Sequence, residues 1–169
     1  MIYAIEILAL LAGIVLVLYL LGRRLPREHR AIRSTRIRAT PGAVFRTITD
    51  VEAFPQWRRE IRSVARLDDV SGRRRYREIT GQGTLSFEVT EEIPEKRLVT
   101  TIVDEGQPFG GRWTIDLLRA GDETEVTITE EGFVNPPIFR VLSRYVFGQA
   151  ATMETYLRSL ERRLEAATR

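Results

Sequence analysis

From Ile61 to Val134 the sequence alternates apolar and polar residues in short segments separated by turn residues. In TLSFEVTEEI, for example, Leu85, Phe87 and Val89 share one side of an extended chain and polar residues occupy the other. A period of two is typical of half-buried strands, and strands joined by such short turns must pair antiparallel. The pattern therefore predicts one curved meander with an apolar inner face. Its predicted strands are Ile61–Asp69, Arg73–Thr80, Thr84–Ile93, Arg97–Glu105, Arg112–Leu118 and Thr124–Val134.

A helical pattern precedes the meander. Thr40 followed by Pro41 is typical of a helix start, because threonine caps the free backbone N–H groups and proline fits the first helical position. Apolar residues then recur at helical spacing, which predicts a short helix over residues 40–49. A second short turn is predicted over Val51–Phe54, and a first strand over Ala31–Arg38.

The C-terminal part of the chain returns to helical spacing. Asn135–Gly148 contains two prolines near its start and an apolar side, which predicts a short helix. A longer helix is predicted from Gln149 to about Ala166. Its apolar stripe would pack on the inner face of the sheet, which makes the fold class α+β. The stripe consists of Met153, Tyr156, Leu157, Leu160 and Leu164.

The N-terminal segment, Ile2–Leu21, is a nearly unbroken run of twenty apolar residues. As a helix it would be about 30 Å long, the thickness of a bilayer core. Glu6 lies near one end, where a carboxylate can reach the headgroups. A signal peptide is the alternative, but the segment lacks a basic start and a small-x-small cleavage site. We therefore expect a retained transmembrane helix over residues 1–22.

Seven arginines lie within Gly22–Arg38, against one acidic residue, Glu28. Positive residues next to a span are retained on the cytoplasmic side, so we expect a single-pass protein of the cell (inner) membrane with its domain in the cytoplasm. Residues 23–30 are expected to form a basic linker and residues 31–169 the folded domain. The whole chain has a net charge of +3, so the arginine cluster leaves the domain slightly acidic. A slightly acidic domain argues against nucleic-acid binding.

The residue inventory limits the possible chemistry. The chain has no cysteine, and its only histidine, His29, falls in the predicted linker. A Ser–His pair or a multi-histidine metal site inside the domain is therefore excluded, and we expect no metal and no cofactor. Neighbouring carboxylates in strands point to opposite faces and are interpreted as solvated edges. These pairs are Asp68–Asp69, Glu91–Glu92 and Glu130–Glu131. The candidates left for acid–base work are Tyr76, Glu78, Asp104, Asp116 and any inward-facing arginine.

One motif and the order of elements resemble a known superfamily. The motif is T-P-x-x-V-F-x-x-I-T-D-x-x-x-F-P-x-W over Thr40–Trp57, followed by the meander and the amphipathic helix. In these features residues 31–167 resemble the SRPBCC superfamily, which includes START-like lipid-transfer domains and polyketide cyclase/dehydrase proteins. The resemblance implies a helix-grip fold, in which a seven-stranded antiparallel sheet wraps around the long C-terminal helix. It also implies an apolar cavity between the sheet and that helix.

The apolar inner face supplies the residues expected to line this cavity. They are Leu85, Phe87, Val89, Ile102, Trp113, Ile115, Leu117, Val126, Ile128, Met153, Tyr156 and Leu160. The resemblance places the turns around residues 81–83, 107–111 and 132–137 at the cavity mouth. Apolar residues near this opening would be Phe109, Phe133, Ile138 and Phe139. The alternative is that the lining residues pack as a filled core.

The segment Pro136–Phe147 is amphipathic and lies next to the expected mouth. In a domain tethered to a bilayer, such a segment could act as a lid or touch the membrane. The alternative is an ordinary connecting helix.

Together these features favour membrane-anchored binding or transport of a hydrophobic small molecule, such as a lipid, a quinone or a polyketide-like compound. A cyclase or dehydratase of the polyketide type is the alternative, and a module that recruits a protein partner without a ligand is a third. No nucleic-acid partner is expected, and no particular protein partner is indicated.

Overall fold

The computed structural model describes residues 2–147 and 151–167. Its elements in chain order are the helix α1 (Ile2–Arg24), β1 (Glu28–Ile37), α2 (Pro41–Thr49), a 3-10 turn (Val51–Ala53), α3 (Phe54–Trp57), β2 (Ile61–Val70), β3 (Arg73–Thr80), β4 (Thr84–Ile93), β5 (Arg97–Ile102), β6 (Phe109–Ala120), β7 (Glu123–Val134), α4 (Pro137–Leu142), a π-helical turn (Ser143–Phe147) and α5 (Ala151–Ala167).

The seven strands form one sheet in the order β1-β7-β6-β5-β4-β3-β2, and every neighbouring pair is antiparallel. β1 and β2 follow each other in the chain but lie at opposite edges, so α2 and α3 bridge the two edges. Register shifts in the β2–β3 and β4–β5 pairs interrupt the ladder. Such bulges bend and twist a sheet, which helps this one curve.

The helix α2 begins and ends where the sequence predicts. The Thr40 hydroxyl accepts a hydrogen bond from the backbone N–H of Ala43 at 3.2 Å, and Pro41 occupies the first turn. The cap satisfies one of the N–H groups that have no partner inside a helix. The three predicted apolar residues of α2 are all buried: Val44, Phe45 and Ile48.

The helix α5 packs its apolar stripe into the hydrophobic core. Met153 and Leu160 are fully buried, and the other three predicted stripe residues are also buried. They share one core cluster with residues of the sheet and of α2 and α3. The α+β helix-grip architecture, a seven-stranded antiparallel sheet with a C-terminal helix against it, is therefore confirmed.

Two strands extend further than the sequence pattern predicts. β1 begins at Glu28 rather than at Ala31, so three residues of the expected linker lie in the sheet. β6 begins at Phe109, so Gly110 and Gly111 are strand residues rather than turn residues. Both extensions have the same physical cause: β7 runs to Val134 and offers backbone partners to a strand on each side.

Two other elements are shorter than predicted. The strand predicted to reach Glu105 ends at Ile102. The single helix predicted over Asn135–Gly148 is instead the short helix α4 followed by the π-helical turn. Gly148, and Gln149 at the predicted start of the last helix, lie outside the described residues.

The helix α1 contacts α4 near its C-terminal end. Its side chains are exposed along most of its length, and Tyr3–Arg24 is long and apolar enough to cross a membrane. At Gly22 the helix approaches α4 so closely that a Cβ would lie 1.9 Å from the carbonyl oxygen of Pro137. Only glycine permits this approach.

Candidate functional site on the inner face of the sheet

The inner face of the sheet, the face that packs against α5, presents the predicted cavity residues. Successive strand residues alternate between faces, and cross-strand pairs such as Ile115–Ile128 and Leu117–Val126 place these side chains together. Eight of the twelve predicted residues are buried in the core cluster, and at this part of the face the interior is filled. These eight are Val89, Ile115, Leu117, Val126, Ile128, Met153, Tyr156 and Leu160.

Burial decreases toward the end of the sheet where β1 begins, which we call the open end. Phe87 and Trp113 are partly buried and pack against the core cluster. Leu85 and Ile102 are half-buried and lie outside that cluster, although Ile102 is directly opposite Phe87. The inner face is therefore packed less tightly at the open end than in the core.

Two opposed glycines create a groove at the open end. Gly111 of β6 pairs directly with Gly132 of β7, so neither strand places a side chain there. These glycines, together with His29 and Ile102, border a groove of about 690 Å³, but most of its lining side chains lie on the outer face of the sheet: Glu28, Arg30, Thr101, Arg112, Glu131 and Phe133. A Cβ on Gly132 would lie 2.9 Å from the His29 ring. Any larger residue would therefore displace that ring.

His29 and Glu130 form a polar pair beside this groove. The His29 Nε2 atom lies 3.2 Å from Glu130 Oε1, and their side chains are only 13% and 22% exposed. His29 thus lies in β1, although the sequence predicts a linker there. The prediction that Glu130 and Glu131 point to opposite faces is correct, because Glu131 binds Arg112 on the outer face. The prediction that both are solvated is wrong for Glu130, since its side chain faces inward.

An aromatic wall surrounds the buried end of the site. The Tyr156 ring packs edge-on against Trp57 at 5.4 Å and against Trp113 at 5.5 Å between ring centroids. The Phe54 ring contacts both Trp57 and Tyr76, and the Tyr76 ring stacks on Phe87. Each such pair contributes about 0.5–1.5 kcal/mol beyond its burial. The wall therefore stabilises the fold and also presents aromatic faces to the site.

A buried ion pair lies against this wall. Arg58 Nη1 and Nη2 donate to the two carboxylate oxygens of Glu78, the second at 3.2 Å, and the two side chains are 10% and 7% exposed. The Arg58 guanidinium also stacks on Phe54 at 5.0 Å and on Tyr156 at 5.2 Å. Arg58 follows α3 directly, and its backbone N–H bonds the Phe54 carbonyl. The corner at Phe54–Trp57 therefore turns Arg58 inward.

Burial changes the acid–base properties of three groups in the site. Removal from water raises the pKa of Glu78, and Arg58 opposes this rise through its charge and hydrogen bonds. Burial also raises the pKa values of Tyr76 and Tyr156 far above their ordinary range. Both tyrosines are therefore neutral phenols throughout the physiological pH range, because desolvation disfavours the charged form.

The indole Nε1 of Trp57 is a buried donor without a hydrogen-bond partner among the described residues. Buried donors are almost always paired in proteins, so an exception in an aromatic wall requires an explanation.

The four predicted mouth residues lie near the open end with different exposure. Phe109 and Phe133 belong to neighbouring strands at that end and are both exposed, as is Phe139 of α4. Ile138 is half-buried. The turn after β3, the loop after β5 and the end of β7 also lie at this end, as the antiparallel order requires.

Two of the acid–base candidates are engaged outside the site. Asp104 accepts the backbone N–H of Ser86, and Asp116 accepts from Arg97 Nε at 2.6 Å. Within residues 2–147 and 151–167, no three histidine or carboxylate side chains group as metal ligands.

Sequence reasoning missed Arg58, His29 and Glu130 as site residues. The inward position of His29 could have been found by continuing the alternation of β1 backward from Ile37. The pairing of Arg58 with Glu78 could not have been found from the sequence, because the two residues are twenty positions apart and the tertiary fold brings them together.

A search of curated proteins found no match. Among solved structures, a START superfamily protein from Mycobacterium smegmatis superposes with a TM-score of 0.68 at 21% identity, over 82% of this chain and 99% of that one. A protein from Thermus thermophilus superposes with a TM-score of 0.62 at 26% sequence identity, over 84% of this chain and 99% of that one. The aromatase/cyclase Zhui from Streptomyces sp. R1128 superposes with a TM-score of 0.63 at 12% sequence identity, over 83% of this chain and 98% of that one.

These superpositions show a shared fold. The family described as polyketide cyclase/dehydrase and lipid transport matches residues 28–165, which begins at the first residue of β1 and ends within α5. Most of the chain lies within that match, and the matched part contains the whole sheet and the aromatic wall. The chain therefore belongs to the polyketide cyclase/dehydrase and lipid transport family.

Proposed function

We propose that the domain binds a hydrophobic small molecule on its inner face, between the open end and the aromatic wall. The observation that supports this most directly is the Nε1 donor of Trp57 in the aromatic wall, which has no hydrogen-bond partner among the described residues. An unsatisfied buried donor costs roughly 1–3 kcal/mol, and an oxygen acceptor on a bound molecule would remove that cost. The surrounding rings favour a flat or flexible apolar body. A lipid, a quinone or a polyketide-like compound with at least one carbonyl or hydroxyl oxygen has this chemistry.

This proposal is tested by what co-purifies with the full-length protein. Solvent extraction of detergent-purified protein, followed by mass spectrometry, should recover an apolar molecule in a fixed ratio to protein. Trp57→Phe keeps an aromatic ring but removes the donor, so we expect roughly fivefold less bound molecule, the value of one hydrogen bond.

A pair of charged substitutions locates the binding face. Ile102→Glu puts a carboxylate into the half-buried open end and should abolish co-purification. Leu118→Glu makes the same change on the outer face of β6, where the side chain is 65% exposed, and should have no effect. Absence of any bound molecule in the wild-type protein would contradict the proposal and favour a module that recruits a protein partner.

We further propose that α1 anchors the domain at the cytoplasmic face of the cell membrane. Its length and composition suit a bilayer, and arginines follow it directly. A cytoplasm-active reporter fused to the C-terminus should be functional, whereas a reporter that works only after export should be silent. The reverse result would exclude this topology. With α1 in the membrane, ligands dissolved in the bilayer lie close to the open end.

An enzyme of the cyclase or dehydratase type is the second candidate. It is favoured by Glu78, an inward carboxyl with a raised pKa next to two neutral phenols, Tyr76 and Tyr156. A fold neighbour with an aromatase/cyclase name points the same way. If this candidate is correct, Glu78→Gln should stop conversion of a linear poly-β-keto probe. Glu60→Gln, which removes the exposed second partner of Arg58, should not.

A further inference from the structure

A second pocket, of about 320 Å³, lies where α1 meets the domain, which we call the junction pocket. It is bounded by the segment after α1 (Leu25–Arg27), the start of β1, the end of β7 and the segment from α4 into the π-helical turn. A single water occupies about 30 Å³ of liquid, so this space suits a larger polar group. The lining residues are Leu25, Pro26, Arg27, Glu28, His29, Arg30, Val134, Arg140, Ser143 and Arg144.

The junction pocket has an excess of positive charge. Four arginines line it, against one carboxylate, Glu28. Arg27 and Arg144 are exposed and form no ion pair with any described residue. Arg30 reaches only Glu131, at 3.7 Å, and the nearby His29 is engaged by Glu130. The Arg144 guanidinium packs over the Tyr145 ring, 5.8 Å from its centroid, but no described carboxylate neutralises Arg144 or Arg27, so both can bind an anion.

Arg140 contributes a positive charge that is buried without a counter-ion. Its residue is 9% exposed, and its guanidinium donates to carbonyl oxygens of Val134 at 2.7 Å, Gly22 at 3.2 Å, Leu25 at 3.3 Å and Asn135. No described carboxylate forms an ion pair with it. Carbonyl oxygens satisfy the N–H groups but do not neutralise the charge, and an uncompensated buried charge is strongly unfavourable. An anion in the adjacent space would provide that compensation.

We propose that the junction pocket binds a phosphate group carried by an anionic molecule. Guanidinium groups match phosphate oxygens in charge and in hydrogen-bond geometry. The pocket begins at the residue after α1, which is the depth of the headgroups if α1 crosses the membrane as proposed above. At that depth the phosphate would belong to the headgroup of an acidic phospholipid. A soluble phosphate compound carries the same group. The proposal does not depend on a ligand on the inner face.

The test uses the full-length protein in neutral detergent and native mass spectrometry. The probes are phosphatidylglycerol, the zwitterionic phosphatidylcholine and glycerol 3-phosphate. The variant is R27Q/R144Q, which removes two exposed arginines that have no carboxylate partner in the described residues. Because an arginine near an anionic lipid surface changes affinity about fivefold, the double variant should bind phosphatidylglycerol roughly 25-fold more weakly.

A matched control removes the same charge elsewhere. R36Q/R38Q also replaces two exposed arginines, but Arg36 lies near the other end of β1, about 27 Å from Glu28 along an extended strand, and Arg38 lies just beyond that end. This variant should retain the preference of the wild-type protein for phosphatidylglycerol over phosphatidylcholine. Melting temperatures of both variants should equal that of the wild type, which shows that the changes act on binding.

The outcomes separate the sources of the phosphate group. Binding of phosphatidylglycerol that is lost in R27Q/R144Q supports a lipid headgroup. Binding of glycerol 3-phosphate alone, lost in the same variant, supports a soluble phosphate compound. Equal loss in R36Q/R38Q, or no preference for any of the anionic probes, overturns the proposal. The molecule extracted from the inner face should be unchanged in R27Q/R144Q, so the two proposals can fail separately.

Discussion

At the level of single residues, Arg58 and Glu78 are two charged side chains that are buried and paired with each other. Taking either charge out of water is costly, and the cost is offset only while the partner is present. Arg58→Met should therefore lower stability by about 3–5 kcal/mol, because it leaves a buried carboxylate unpaired. The double variant Arg58→Met/Glu78→Leu should regain much of this loss. Melting temperature in detergent measures both effects.

The control for this experiment is a surface pair. Arg66 and Glu52 are 3.6 Å apart with side chains that are 67% and 68% exposed. Exposed pairs contribute about 0–1 kcal/mol, so Arg66→Met should leave the melting temperature nearly unchanged. An equal decrease in melting temperature for Arg66→Met and Arg58→Met would contradict the prediction that the buried pair matters more for stability.

The buried tyrosines predict how stability depends on alkaline pH. The folded state holds the protons of Tyr76 and Tyr156 more tightly than the unfolded state, because burial raises their pKa values. Stability from these groups is therefore fully present below about pH 10, the ordinary tyrosine pKa, and falls as pH rises above it. Ultraviolet absorbance of phenolate should show that these two side chains ionise only as the domain unfolds.

Substitution by phenylalanine checks this pH dependence. Tyr156→Phe removes one titrating group from the core and should make the loss of stability above pH 10 less steep. Tyr145→Phe, at a position that is 69% exposed, is the control. Ionisation of all five tyrosines of the chain before unfolding would show that the two rings are not buried in solution.

At the level of elements, the contact between α1 and α4 depends on Gly22. A Cβ there would meet backbone atoms of Pro137, which cannot move aside like a flexible side chain. Gly22→Val should separate the two helices and break the Arg140 hydrogen bonds to Gly22 and Leu25. Trypsin cleaves after arginine, so cleavage at Arg24 and Arg27 should become faster.

Gly13 provides a control within the same helix. A Cβ at Gly13 would have no atom within 4 Å, so Gly13→Val adds the same side chain without a clash. Its cleavage rate should equal that of the wild-type protein. Faster cleavage in both variants would mean that the bulk of valine in α1, and not the contact with α4, causes the effect.

Elements with a strong local pattern were predictable from the sequence. The cap at Thr40 and the alternation in β3 and β4 gave bounds that agree with the structure, because capping and face alternation act over a few residues. The early start of β1 and the strand residues Gly110 and Gly111 were not predictable, since backbone pairing with β7 determines them. The Arg58–Glu78 pair likewise depends on the tertiary fold. Local sequence patterns therefore predicted the helices and strands. The polar residues of the site could not be predicted, because they meet only when distant parts of the chain pair in the fold.

At the level of the whole molecule, α4 should lie at the membrane surface if α1 spans the membrane as proposed. Phe139 is 59% exposed on α4, which packs against the end of α1. The chain has no native cysteine, so Phe139→Cys can carry a single fluorescent label in nanodiscs. A quencher attached to lipid should quench this label strongly. Leu118→Cys, on the outer face of the sheet, should be quenched much less, and equal quenching would contradict this orientation.

The connection between α1 and the sheet is only Leu25, Pro26 and Arg27. Three residues extend at most about 11 Å, so if α1 crosses the membrane as proposed, the domain stays within that distance of the bilayer. Such a tether raises the local concentration of anything dissolved in the same membrane and leaves a second membrane out of reach. A molecule held on the inner face would therefore be exchanged with its own leaflet, or passed to a protein that comes to the membrane to receive it.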